Sequence, residues 1–467
     1  MFQRTAVASV AAFLAALASQ LQADVTPHSL FADNMVLQQG TKVPVWGTAP
    51  DGEEITVTIQ GQTAKTTAKD GKWRVDLNAL KKGGPFEMTI QGKNKIDLKN
   101  VLVGEVWVCS GQSNMEWSVK ASADADKVAA GSANPQIRLF TVRKTQADAP
   151  AAELKDPIKW AECNPTTVPG FSAVGYHFGK NLQKALDTPI GLIHTSWGGT
   201  PAEAWTKQEA LAADPLTKNM AGKSSKLYNA MIAPLIPYAI KGAIWYQGES
   251  NAGRAFQYRN LFPNMITNWR EDWKQGDFPF IAVQLAPFKK INSEPEESDW
   301  AELREAQLLA TTKLKNVGMA VITDVGDEKD IHPRQKEPVG ARLALEARRI
   351  AYGEKLVSAG PIYDAKKIDG NKVVLTFKNV GGGLVVKGEK LTGFTIAGED
   401  RKFVNADAVI QDDKIIVSSP KVEKPVAVRF GWANYPVVNL WNKEGLPATP
   451  FRTDDFPMIT GPKEPKQ

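Results

Sequence analysis

Between about residues 101 and 352 the chain repeats one pattern, and that pattern constrains the fold more than anything else in it. Short apolar runs, "VLVGEVWVC", "PIGLIHTSW", "AIKGAIWYQ", "FPFIAVQLA" and "VGMAVITDV", alternate with stretches of helical spacing. Val174, Phe178, Leu182 and Ala185 mark one such stretch. Val339, Leu343, Glu346/Ala347 and Ile350 mark another less strictly, and 255–273 and 299–315 read as helices too. Apolar strands separated by helices predict a parallel sheet covered on both faces. In such sheets ligands bind beyond the carboxyl ends of the strands.

The flanks have a different period. Over 24–100, "KVPVWGTA", "EEITVTIQGQ", "GKWRVDL" and "FEMTIQG" alternate or carry branched residues, with Asp70-Gly71 as a hairpin signal; this predicts a small sandwich or half-barrel. From about 356 to 467 the chain returns to β, with "KVVLTFKNV", "LTGFTIAG", "KIIVSS" and "VAVRFGW". "INSEPEESD" reads as a mobile loop. The expected division is therefore an N-terminal β domain over 24–100, an α/β domain over 101–355 and a C-terminal β-rich domain over 356–467.

Residues 1–23 carry one Arg, an apolar run and a polar stretch ending in Ala23. That order predicts a cleavable export signal, hence a secreted or periplasmic protein with no span in its mature form. Cys109 and Cys163 are compatible with one disulfide or with two buried thiols. A net charge of +6 over 467 residues is mild, and the lysines are interspersed with acids. Both points argue against a nucleic-acid partner. No His-Glu-x-x-His, phosphate loop or Gly-x-Gly-x-x-Gly occurs, so neither a metal nor another cofactor is expected.

Four unusual motifs follow the predicted strands: Gly111-Gln112-Ser113-Asn114-Met115, Ser196-Trp197-Gly198-Gly199-Thr200, Gln247-Gly248-Glu249-Ser250-Asn251 and Asp330-Ile331-His332-Pro333. A parallel sheet brings all four to one edge. Acyl transfer needs a nucleophilic hydroxyl, a base, an acid to orient the base, and donors for an oxyanion. Ser113 can supply the hydroxyl, and at the start of a helix its N–H and the helix dipole favour negative charge. His332 can act as base, with Asp330 holding its tautomer in competition with Asp324 and Asp327. Gly198 or Gly199 lets a backbone N–H approach closely. Asn251 or Gln247 can add a side-chain donor, and Gln112, Glu249 and Trp197 are candidates to touch substrate.

Each piece also has an ordinary reading. Gly-Gln-Ser-Asn is good turn chemistry, "SWGG" can be a packing turn, Glu249 can cap a helix, and His332 can be a surface residue before a proline. His177 and His194 read as core histidines. Four such loops at one predicted edge are harder to explain by packing alone.

The stretches "GEVWVCSGQSNMEW", "GLIHTSWGGTPAEAW", "AIWYQGESNA" and "DIHPRQK" resemble the sialate O-acetylesterase family of the SGNH hydrolase superfamily, as do "FADNMVLQQGTKVPVWGTA" and "GWANYPVVNLWNKEGLPATPFRTD". The resemblance implies an SGNH-type, flavodoxin-like hydrolase core between β-rich modules, no metal, and removal of acetyl esters from sugar hydroxyls. It implies Ser113 as nucleophile, His332 as base and Asp330 as its partner. The glycines of "SWGG" and Asn251, in competition with Gln247, are implied as oxyanion-hole elements. Asp-x-His stands here where the superfamily has Asp-x-x-His, which leaves a Ser–His dyad as an alternative to a triad.

Two other readings stand beside a sialate ester as substrate. One keeps the chemistry and replaces the alcohol half with acetylated polysaccharide such as xylan or pectin. The other is a non-catalytic sugar binder. A sialate carboxylate asks for an arginine, and Arg254, Arg259 and Arg334 lie near the motifs.

Overall fold

The computed structural model describes residues 24–222 and 224–462; the export signal expected over 1–23 lies outside them. The centre is a sheet built from β1 (Lys95–Gly111), β2 (Asn134–Thr141), β3 (Ala161–Cys163), β4 (Ile190–Ser196), β5 (Gly242–Tyr246), β6 (Phe280–Val283) and β7 (Val317–Ala320). Its strands lie in the order β3-β2-β4-β1-β5-β6-β7. All neighbours are parallel except the edge pair β2–β3. The five expected strands are present. β2 and the short β3 extend the sheet beyond them: "IRLF" is apolar only in part, with Arg138 inside the run, which hides it from a hydrophobic count.

Helices α1 (Ser113–Glu116), α2 (Ala173–Leu186), α3 (Ala255–Trp273), α4 (Asp299–Lys313) and α5 (Glu337–Tyr352) complete the layers that concern the site. Successive strand residues face opposite sides. Trp107 and Cys109 of β1 therefore join Phe178 and Leu182 of α2 and Leu343 of α5 in one core. Val106 and Val108 join Leu261, Phe262 and Trp269 of α3 and Leu303 of α4 in the other. Both faces are buried, which is why the strands read as unbroken apolar runs.

β1 crosses the division expected at 100/101. Its first half pairs antiparallel with Gly83–Gln91, within a set of strands that includes Glu54–Ile59 and Gln62–Thr67. Its second half, Glu105–Gly111, pairs parallel with β4. The C-terminal strands form two four-stranded antiparallel sheets and a two-stranded ladder around Val373, Leu375, Phe394, Ile396, Phe430 and Phe451. This region is fastened to α4. The buried Arg304 guanidinium donates to the carbonyls of Ala433 and Asn434 at 2.7 and 2.9 Å, and Arg452 pairs with Glu305 at 2.7 Å.

The loop expected to be mobile over "INSEPEESD" is anchored here: Glu297 pairs with Arg429 at 2.9 Å, and Glu296 accepts from Asn434. Cys109 and Cys163 are two buried, unbridged thiols. Among the described residues no helix is long and apolar enough to cross a membrane.

Candidate active site

The site starts where β1 ends. Gly111 has φ +139°, and a Cβ there would lie 2.1 Å from the Tyr246 carbonyl of β5. Only glycine lets the two backbones meet so closely. Gln112 then donates its N–H to the same carbonyl at 3.0 Å, and the chain turns into α1. Ser113, first residue of that turn, is half-buried between the buried Gln112 and Asn114. α1 has only four residues, so the dipole expected of a longer helix reduces to the free N–H groups of one turn.

His332 arrives from the loop after β7. Its Nε2 lies 2.9 Å from Ser113 Oγ. Its Nδ1 lies 3.3 Å from Asp330 Oδ1, which also accepts the His332 backbone N–H at 2.8 Å. The other acids are engaged elsewhere: Asp324 holds Arg342 through two hydrogen bonds, and Asp327 accepts from the backbone of Lys329 and Asp330. The Trp117 indole lies flat on the imidazole, with centroids 4.7 Å apart and planes 14° from parallel. Burial holds the His332 pKa below its usual 6.5, and the Asp330 carboxylate acts in the opposite sense.

Beneath the serine, one carboxamide joins three loops. Asn114 donates to Glu249 Oε1 at 2.6 Å and to the carbonyl of Ile331 at 3.0 Å, while Lys336 donates to Asn114 Oδ1 at 2.5 Å. Burial pushes the Glu249 carboxyl up and brings the Lys336 ammonium down to about 7. Glu249 is thus half-buried under the turn and makes no cap, and Gln112 accepts from the Ser250 N–H at 3.2 Å. Both link loops rather than line the open cleft.

The oxyanion candidates fare differently from one another. Asn251 is buried; its amide donates to Glu203 at 2.9 Å and its oxygen accepts from Ala202 and Gln247. Gln247 is also buried, donating to Asn251 and Thr200 and accepting from Tyr258. Neither amide reaches the cleft, because the loop after β5 spends both on holding itself to the loop after β4. Gly198 lies against Ser113: a Cβ there would be 3.2 Å from Ser113 Cβ. Its N–H, however, donates to Glu116 Oε2 at 2.7 Å. Gly199 has φ +73° with open space beside it, which makes it a turn former and not a point of close approach.

A cavity of about 680 Å³ opens over Ser113 and His332, lined also by Glu116, Trp117, Arg143, Lys144, His194 and Trp197. The sequence reading missed Glu116 and Trp117. Their signal was spacing, because residues three and four beyond Ser113 return to its side of a helical turn. Arg143 and Lys144 follow β2, the strand that was not seen. Arg254, Arg259 and Arg334 lie outside this lining: Arg254 pairs with Glu203, Arg259 lies near Glu305, and Arg334 donates to the carbonyls of Ala121 and Ser122. His194, buried as expected, reaches the cavity wall with Nε2 2.6 Å from Ser196 Oγ.

A strand-end serine 2.9 Å from an imidazole on a mixed α/β sheet is an arrangement suited to acyl transfer. Comparison with known proteins narrows this. The family model described as "Carbohydrate esterase, sialic acid-specific acetylesterase" matches residues 103–348. A sialate O-acetylesterase of Homo sapiens is 35% identical over 397 residues, 74% of this chain and 75% of that one. Its counterpart in Mus musculus is 34% identical over 413 residues, 73% and 76% of the two chains. The crystal structure of a carbohydrate acetylesterase from Xanthomonas citri superposes with a TM-score of 0.88 at 41% identity, covering 92% of this chain and all of that one. The chain belongs to the sialic acid-specific acetylesterase family of carbohydrate esterases.

Proposed function

We propose that this protein removes O-acetyl groups from sugars through an acetyl-enzyme on Ser113, in an SGNH-type core over residues 101–355. The observation that carries the reading is the 2.9 Å approach of His332 Nε2 to Ser113 Oγ. That distance lies within reach of direct proton transfer. Neutral His332 takes the hydroxyl proton as Ser113 attacks the acetyl carbonyl. The sugar alcohol leaves with that proton, and the imidazole then activates water to release acetate. The Ser113 N–H and the Gly198 N–H are the oxyanion donors in this scheme, with Gln247 and Asn251 holding the loop behind them.

Asp330 acts as a partly exposed orienting group in this reading. Its contact with Nδ1 is long, at 3.3 Å, and Trp117 lies flat against the ring. The sugar specificity in this reading follows the family toward sialate esters, and the export signal expected over residues 1–23 would carry the work outside the cytoplasm. The test is acetate release from acetylated sialosides, xylan and pectin by wild type and Ser113→Ala. Loss of turnover by about a thousandfold or more with an unchanged melting curve is expected. Full activity in Ser113→Ala ends the proposal.

A further inference from the structure

The reaction scheme uses the Gly198 amide, yet in the structure that amide is taken. Glu116 Oε2 accepts it at 2.7 Å, and Glu116 Oε1 accepts from the Lys144 ammonium. The Glu116 and Lys144 side chains are 32% and 43% exposed, so both have room to move. A Cβ at Gly198 would be 3.2 Å from Ser113 Cβ and 3.3 Å from Glu116 Oε2. The carboxylate and the nucleophile therefore flank one amide. Nothing in the chemistry of ester cleavage asks for a negative charge at that place.

An ester carbonyl that seeks the Gly198 N–H competes with a charged acceptor, which binds an N–H more strongly than a neutral one. A carboxylate left beside the oxyanion would also raise its energy. For the amide to serve, the Glu116 carboxylate has to turn out into the cleft, where it keeps Lys144 and exchanges a fixed backbone donor for water. A sugar brings hydroxyls next to the ester that can fill the gap; a phenyl acetate brings none.

We infer that Glu116 is a specificity-determining residue: the ester displaces it from the Gly198 amide, and a free hydroxyl beside the ester recaptures it. This rests on the reaction assigned to Ser113 above. The enzyme then favours polyhydroxylated alcohols because they bring a positioned donor to the displaced carboxylate in place of mobile water. Simple acetates leave that oxygen to water.

The experiment compares kcat/KM for a mono-O-acetylated methyl glycoside with free neighbouring hydroxyls and for p-nitrophenyl acetate, in wild type and in Glu116→Gln. The variant keeps an acceptor and loses the charge. The glycoside-to-aryl ratio is expected to fall about tenfold, the size of one charge-assisted hydrogen bond. An unchanged ratio, or equal loss on both substrates, overturns the inference. Should Glu116→Gln fail to fold, wild type alone decides: the mono-acetylated glycoside should exceed its fully acetylated counterpart by about tenfold per ester, and equal rates overturn it. A Ser113→Ala that still turns over removes the reaction and this inference together. An inactive Ser113→Ala with an unmoved ratio removes this inference alone.

Discussion

Trp117 lies parallel on His332 at 4.7 Å, so the plane of the imidazole facing Ser113 is set by an indole four residues along from the serine itself. The carboxylate of Asp330 is the weaker constraint, at 3.3 Å and half exposed. Trp117→Ala should lower kcat roughly three- to tenfold, the range of an aromatic stacking contact. Steady-state kinetics beside a melting curve check this, and an unchanged kcat would show that the ring is held by other means.

The acid limb of kcat/KM should fall below pH 6.5. The base must be neutral, and burial disfavours the imidazolium, so activity rises with pH through a lowered value. The charges that act on the ring are Asp330, Lys336 and Glu116. Asp330→Asn removes a carboxylate that favours the charged ring, so the limb should move further down. A pH–rate profile of the two proteins decides, and an upward move contradicts the assignment.

Asn114→Ala should destabilise the protein by roughly 2–4 kcal/mol. It leaves the half-buried Glu249 and the buried Lys336 without the carboxamide that bridges them. It also frees the Ile331 carbonyl next to His332. Denaturant titration measures the loss, and wild-type stability would mean that water or a local shift replaces the bridge.

His177 and His194 are both buried, and burial lowers each pKa to about 4. The folded state thus resists protonation that the unfolded chain accepts below about 6.5. Their contribution is complete above that pH and is lost as pH falls toward 4, by up to roughly 3 kcal/mol each. Melting temperatures recorded across this window should fall, and His177→Gln should flatten the slope.

The parts of the fold that were legible in the sequence are those where burial writes directly into composition. β5 and β6 are apolar almost throughout and β4 over its first four residues, because helices cover both sides; α3 has its expected span, and α4 ends at Lys313, two residues short of the expected 315. β2 was invisible because Arg138, buried and paired with Glu162 at 3.0 Å, interrupts it. In the site, the meeting of residues 113 and 332 follows from strand ends sharing one edge. Which donors face the cleft does not: Asn251 and Gln247 look like free amides until their partners Glu203, Thr200 and Tyr258 are seen. Glu116 was hidden for the same reason, since its bond to Gly198 joins two loops 82 residues apart.

β1 runs unbroken for 17 residues from Lys95 to Gly111, ending two positions before the serine. The flanking module therefore does not hang from the catalytic unit on a tether; the two share a beam. Cutting the chain at residue 101 would strip the beam of the Gly83–Gln91 ladder at one end while leaving its tip to carry the Ser113 hydroxyl. A trimmed enzyme of that kind would be expected to lose alignment at the tip before it lost its core.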